Sequence, residues 1–379
     1  MFYGASGFNN EGDALDWNDT RSVNNMASMF ERATIFNVGI SGWSTTAVNT
    51  MNSMFKDAIA FDQLINHNDC YWNVSTVTDM SGMFMNASSF DNPLDKWDTI
   101  NVTTMDSMFK GASTFDQDIS GWNTSKVTTM HSMFKDAAVF DQNINYADCG
   151  EHPKKWDVSS VLTMKSTFEG ASEFNGNITD WEVLNVTTMD SMFEDAASFN
   201  QNIHSWTVSG VTTMKEMFKD AIVFNQDISG WNTSNVTTLE SMFYGAYVFN
   251  QNISDWNTSS GVTMETMFYG ASGFNNGGAI LDWSNTAAVT TMSGMFMHAI
   301  TFNQDISGWN VSTVETMSSM FYGASGFNNN NIALGWSDTS SVVTMDSMFK
   351  NAIAFNVDNT DWDTTAVTTM ANMFNGATI

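Results

Sequence analysis

Two short segments hold the residues best suited to chemistry: His67-Asn-Asp69-Cys70 and Asp148-Cys149-Gly-Glu-His152. They contain both cysteines of the chain and two of its five histidines. The mirrored His-x-x-Cys and Cys-x-x-His orders would suit a tetrahedral Cys2His2 zinc site. The same cysteines could instead form a Cys70–Cys149 disulfide, a staple that fits an oxidising compartment, or remain free thiols. These three alternatives stay open. His131, His204 and His298 stand in variable slots with no partner column. No phosphate-cradling glycine loop, HExxH or GxSxG occurs. Carboxylates are plentiful, but they recur at fixed intervals, whereas a catalytic pair should be singular. The chain therefore reads as a non-enzyme without a cofactor. Calcium is the one cation the acidic excess would suit, between repeats or in Asn9-Asn-Glu11-Gly-Asp13, although EF-hand spacing is missing.

What positions these residues is a repeat. The pair Met-Phe places its Phe at Phe2, Phe30, Phe55, Phe84, Phe109 and onward to Phe349 and Phe374, at intervals of 25 to 34 residues. In one copy Thr167 replaces the Met before Phe168. A second Phe follows six residues later in all but the last copy, and the two columns account for all 29 phenylalanines. The 14 tryptophans fall one per period, from Trp17 to Trp362. The expected organisation is one repeat solenoid over residues 1–379, of about 14 coils, with longer insertions near 64–71 and 143–155. Both cysteines sit in those insertions, three coils apart.

The coil from Phe109 to Phe134 shows the grammar. Val127, Met130, Met133, Phe134 and Ala137 are spaced 3, 3, 1 and 3 apart, which predicts one buried helical stripe and a short helix over Met130 to Ala137. A short strand is expected near Asp118–Ser120. Strand and helix in one coil predict an α/β repeat solenoid with a parallel sheet along one face, each coil burying what its neighbour cannot bury alone. The residue after each second Phe is always Asn or Asp, from Asn9 to Asn356. Such a column beside a buried one predicts side chains that satisfy turn amides of adjacent coils. Gly261 takes a Val slot, and a bulge is expected there.

The stretches Phe224-Asn-Gln-Asp-Ile-Ser-Gly-Trp231 and Phe302-Asn-Gln-Asp-Ile-Ser-Gly-Trp309, followed by Val, Met-x-x-Met-Phe and Ala, resemble the BspA-like leucine-rich-repeat surface proteins over the whole chain. The resemblance implies a leucine-rich-repeat-like solenoid displayed outside the cell, with surface attachment or binding and no catalysis. The departures are Phe and Trp where a typical leucine-rich repeat has Leu.

Charge narrows the partners. With 41 acidic and 13 basic residues the net charge is -28, which disfavours nucleic acid and anionic membranes, since both reward Lys/Arg clusters. No apolar run approaches the roughly 18 residues of a membrane span, and Met1 to Asn10 shows no signal peptide. The residue after each Met-Phe forms a variable column read as an exposed contact stripe: Tyr3, Lys56, Lys110, Lys135, Lys219, Tyr244, Tyr269, Tyr322 and Lys350. Asn123, Asn232 and Asn257, each just after a Trp, are the favoured glycosylation positions among the N-x-[ST] sequons. Neither end carries a polar cap, and the segment beginning Met-Phe-Tyr-Gly-Ala recurs at 1, 267 and 320. Phe2, Phe8, Trp362 and Phe374 would then be assembly ends of a head-to-tail filament. The expected function is a structural or adhesive element outside the cell. The alternative is a monomeric module that binds a surface protein or glycan through one face.

Overall fold

A single coil cannot hide two phenylalanines and a tryptophan from water, so the structure is built by stacking. The computed structural model describes residues 1–17, 19–66, 72–145, 156–261, 263–283 and 285–378. The chain divides into two units: Met1–Val186 with Ala196–Gln201, and Thr187–Asp195 with Asn202–Ile379. Each is a stack of the same coil. In the first, single-residue parallel bridges run from Asn25 through Thr50, Asp79, Thr104 and Thr129 to Thr163. In the second, they run from Thr188 through Thr213, Thr238, Thr263, Thr291, Thr316 and Thr344 to Thr369.

The expected helix over Met130 to Ala137 is not there. Residues 131–136 are consecutive turns, and the only helices among the described residues are four three-residue 3-10 turns. Alternate amides show why. Met130, Ser132, Phe134 and Asp136 donate to the next coil, to the carbonyls of Thr163, Lys165, Thr167 and Glu169, at 2.7 to 3.2 Å. Met133, Lys135 and Ala137 donate backward to Met130, Ser132 and Phe134. An α-helix spends its amides internally and leaves none for a neighbour. The staircase divides them between turn closure and stacking. Its turns need left-handed third positions, supplied by Ser132 (φ 56°) and Asp136 (φ 58°).

The strand expected near Asp118–Ser120 is also corrected. That stretch makes no bridge: Ser120–Gly121 is a turn closed by the Trp122 amide on the Ile119 carbonyl at 3.0 Å, and the bridging residue is Thr129. The parallel sheet is reduced to one residue per coil. At Gly261, where a bulge is expected, the flanking described residues keep the pattern of the other coils. The Gly261 amide closes the same turn on Thr258 (3.1 Å) that Val236 closes on Thr233, and Thr263 keeps its bridges on both sides. Val262 lies outside the described residues.

The buried columns follow the sequence. Phe109, Phe115, Trp122, Val127, Met130, Met133, Phe134 and Ala137 are all fully buried. Phe109 stacks on Phe115 within its coil at 4.0 Å and on Phe134 of the next coil at 5.7 Å. Burying each such ring contributes on the order of 1.5–3 kcal/mol. Where Thr167 replaces Met, its buried hydroxyl bonds the Met164 and Met130 carbonyls at 2.8 and 3.1 Å. A polar residue in the core is thereby satisfied.

Candidate functional site

Three side-chain ladders connect coil to coil. The Asn/Asp column does what its position predicted: Asn303 Oδ1 accepts the amides of Asn328 and Asn330 at 2.7 and 3.0 Å, while its own amide donates to Asn275 Oδ1 at 2.9 Å. The same link recurs from Asn37 on Asn9 to Asn175 on Asp141, so Asn and Asp serve alike as acceptors. A second ladder was not foreseen. From Trp43 to Trp181 in the first unit and from Trp231 to Trp362 in the second, indole N–H groups donate to an Ile or Leu carbonyl of the preceding coil, as Trp122 does to Leu94 at 3.0 Å and Trp256 to Ile228 at 3.0 Å. The signal was present in the Ile or Leu that stands three residues before Trp in most of the coils.

The third ladder is the proposed contact stripe, and its exposure is corrected. Among its members only Tyr3 is exposed; Lys56, Lys110, Lys135, Lys219, Tyr244, Tyr269, Tyr322 and Lys350 are half-buried. They cover one another. Lys56 pairs with Glu31 at 3.5 Å, Lys219 with Glu194 at 2.5 Å, and Lys135 with Glu169. Tyr244 and Tyr269 stack at 4.4 Å, and His298 lies edge-on between Tyr269 and Tyr322 at 5.8 and 5.1 Å. Lys350 Nζ sits 5.2 Å over the Tyr322 ring, and Arg32 5.8 Å over Tyr3. Pairing raises the Lys215 ammonium, held by Glu240 at 2.8 Å, above its ordinary value.

One exposed surface escaped the sequence reading. The two residues after each column Ala form a corner of the coil, and among all of them only Glu173 is charged. Several are apolar and open to solvent: Ile35, Ile59 and, in adjacent coils of the second unit, Ile222 (38%), Val223 (40%), Tyr247 (52%) and Val248 (46%). The missed signal was the absence of charge in a chain of net charge -28.

The remaining candidates fall elsewhere. Asn123, Asn232 and Asn257 each turn Oδ1 back to the amide two residues on, at 3.1, 3.1 and 2.9 Å, and only Asn232 is exposed. Phe374 is 46% exposed, whereas Phe2, Phe8 and Trp362 are half-buried. Asn10 directs its side-chain amide at the carbonyls of Asp13 and Ala14, inside the loop considered for calcium. Cys70, Cys149, His67 and His152 lie outside the described residues. Among the described residues, no group of three or more His, Cys, Asp or Glu is placed to hold a metal ion. A cleft of about 420 Å³ in the second unit is lined by Ser307, Trp309, Asn310, Ser337 and Asp338, among others. Within the described residues, no helix is long and apolar enough to cross a membrane.

A family model described as "Mycoplasma protein of unknown function, DUF285" matches residues 1–71, 66–154, 148–252, 201–287, 248–337 and 331–379. No curated protein matches the chain. Solved structures with some likeness include a TLR13–ssRNA13 complex, at 10% identity and a TM-score of 0.25, covering 86% of this chain and 46% of that one. The functional domain of InlJ from Listeria monocytogenes shows 11% identity, a TM-score of 0.21 and coverage of 75% and 62%. The Toll–Spätzle complex of Drosophila shows 8% identity, a TM-score of 0.22 and coverage of 83% and 51%. The chain thus spans about half to three-fifths of the length of these proteins.

Proposed function

We propose, for a chain that belongs to the DUF285 family, a non-catalytic role outside the cell as a repeat scaffold that attaches to surface proteins or glycans through its uncharged corner. The exposed cluster Ile222, Val223, Tyr247 and Val248 carries this reading. Packing explains why Phe224 and Phe249 are apolar, but it does not require four large apolar side chains on the solvent side of the turns before them. Exposed apolar residues gathered in one place mark interaction surfaces. Tyr247 adds a ring with a polar tip, a residue type favoured at such surfaces.

Beads coated with the full chain, applied to a confluent cell layer, test the reading. Attachment should fall to that of uncoated beads when Ile222, Val223, Tyr247 and Val248 are all changed to Ser. Equal attachment by this variant would remove the corner from the mechanism. Negative-stain microscopy over a concentration series addresses the filament. Fibres that lengthen with concentration would place self-assembly first, and discrete particles at every concentration would leave attachment by the monomer.

A further inference from the structure

Tyr244 and Tyr269 hold equivalent positions in successive coils of the second unit. Their rings lie 4.4 Å apart with an interplanar angle of 1°. The backbone fixes this register: Phe243 N–H donates to Met267 at 2.9 Å and Gly245 N–H to Tyr269 at 2.8 Å, on either side of Tyr244. The rings leave equivalent positions of successive coils and lie parallel, so the ortho carbons of one face those of the other. Gly245 and Gly270 follow the two tyrosines and put no side chain between the coils. Both rings are half-buried and within reach of a small oxidant. The other described tyrosines lack such a partner: Tyr3 lies under Arg32, Tyr322 under Lys350, and Tyr247 is exposed.

We propose that Tyr244 and Tyr269 are a dityrosine modification site, at which a peroxide-driven one-electron oxidant joins two coils covalently. Each phenol loses one electron and its hydroxyl proton to become a tyrosyl radical. The two radicals couple through a new bond between ortho carbons. Each of those carbons then releases its hydrogen as a proton, the rings regain aromaticity, and the phenolic oxygens are reprotonated. The pair gives up two electrons and two protons in all, which reduce one hydrogen peroxide to two waters. Burial and the neighbouring phenol raise the Tyr244 hydroxyl above its ordinary value. The ring is therefore neutral at neutral pH and must lose its proton along with its electron. The bond would staple the coil of Phe243 to that of Phe268, beside the exposed corner but independently of any role in attachment.

The test uses the full chain, dilute, with a peroxidase and hydrogen peroxide. The expected product has the blue fluorescence of a biphenol and a mass lower by two hydrogens. Cleavage after Glu240 and Glu265 should release residues 241–265 and 266–315 as one linked species. Tyr244→Phe and Tyr269→Phe preserve the ring stack and should each abolish the linkage, while Tyr247→Phe should retain it. Thermal unfolding confirms that these variants are folded. Three results would overturn the proposal: a linkage that survives Tyr244→Phe, a yield per chain that rises with protein concentration, or no linkage under conditions that dimerise free tyrosine.

Discussion

Asp220 leans over Gly245. A Cβ built on Gly245 would lie 2.0 Å from Asp220 Oδ1, and the Gly245 φ of +64° already places it in the left-handed region. The same fit recurs between Asn86 and Gly111, Asp136 and Gly170, His298 and Gly323, and Asn351 and Gly376. A side chain in one coil fills the space that a glycine leaves in the next. Gly245→Ala should therefore destabilise the second unit by roughly 1–3 kcal/mol through backbone strain and the clash together. Urea unfolding measures it. The double variant with Asp220→Ala should recover the part due to the clash, and full additivity of the two changes would show that the pair does not interact.

Asp220 also predicts a pH dependence. Burial and the neighbouring Asp195 carboxylate hold its carboxyl above the ordinary value of 3.8. Between 3.8 and the raised folded value, the folded state binds more protons than the unfolded one, so this group lowers stability as pH rises. Asp220→Asn should stabilise the protein at neutral pH, with the difference fading as pH falls through the raised value and gone below 3.8. Unfolding midpoints of the two proteins across that range would show it. A constant difference at all pH values would assign the effect to something other than titration.

The core was legible because burial depends on residue type, and the Phe, Met, Trp and Ala columns are almost invariant along the chain. The conformation was not, because spacings of 3, 3, 1 and 3 arise from a helix and from overlapping three-residue turns alike. The column two residues after each Met-Phe could have separated them. It holds Gly111, Asp136, Gly170, Asp195, Asp220 and Gly245, which suit left-handed backbone and are poor helix formers. The Asn ladder was foreseen since a constant polar residue beside a buried one needs a partner. The corner of Ile222 and Tyr247 was missed because its signal is what it lacks, namely charge. The roles of Cys70 and Cys149 were left to three alternatives, since spacing alone distinguishes none of them.

The Asn ladder makes a separate prediction. Asn250 Oδ1 accepts the amides of Asn275 and Gly277 at 2.8 and 3.0 Å. Asn250→Ala leaves both to find water and should cost on the order of 1 kcal/mol. Asn250→Asp keeps an oxygen in place, as Asp62, Asp91, Asp116 and Asp141 do in the first unit, and should recover most of the loss at neutral pH. Equal destabilisation by the two substitutions would mean that the acceptor oxygen is not what holds the turn.

Gly261 is the weak point of the Val column, and filling it should stabilise the protein. Its backbone is outside the left-handed region that favours glycine, and a Cβ there would meet only the Thr258 carbonyl at 3.5 Å and Met264 Cε at 3.8 Å, both ordinary contacts. Its amide already closes the turn that Val236 closes one coil earlier. Gly261→Val adds buried apolar surface and removes freedom from the unfolded chain. Together these should add about 1–2 kcal/mol. A higher urea midpoint at unchanged slope is the expected result. A lower midpoint would mean that the slot has closed around the glycine, and Gly261→Ala, which needs less room, would then show how far.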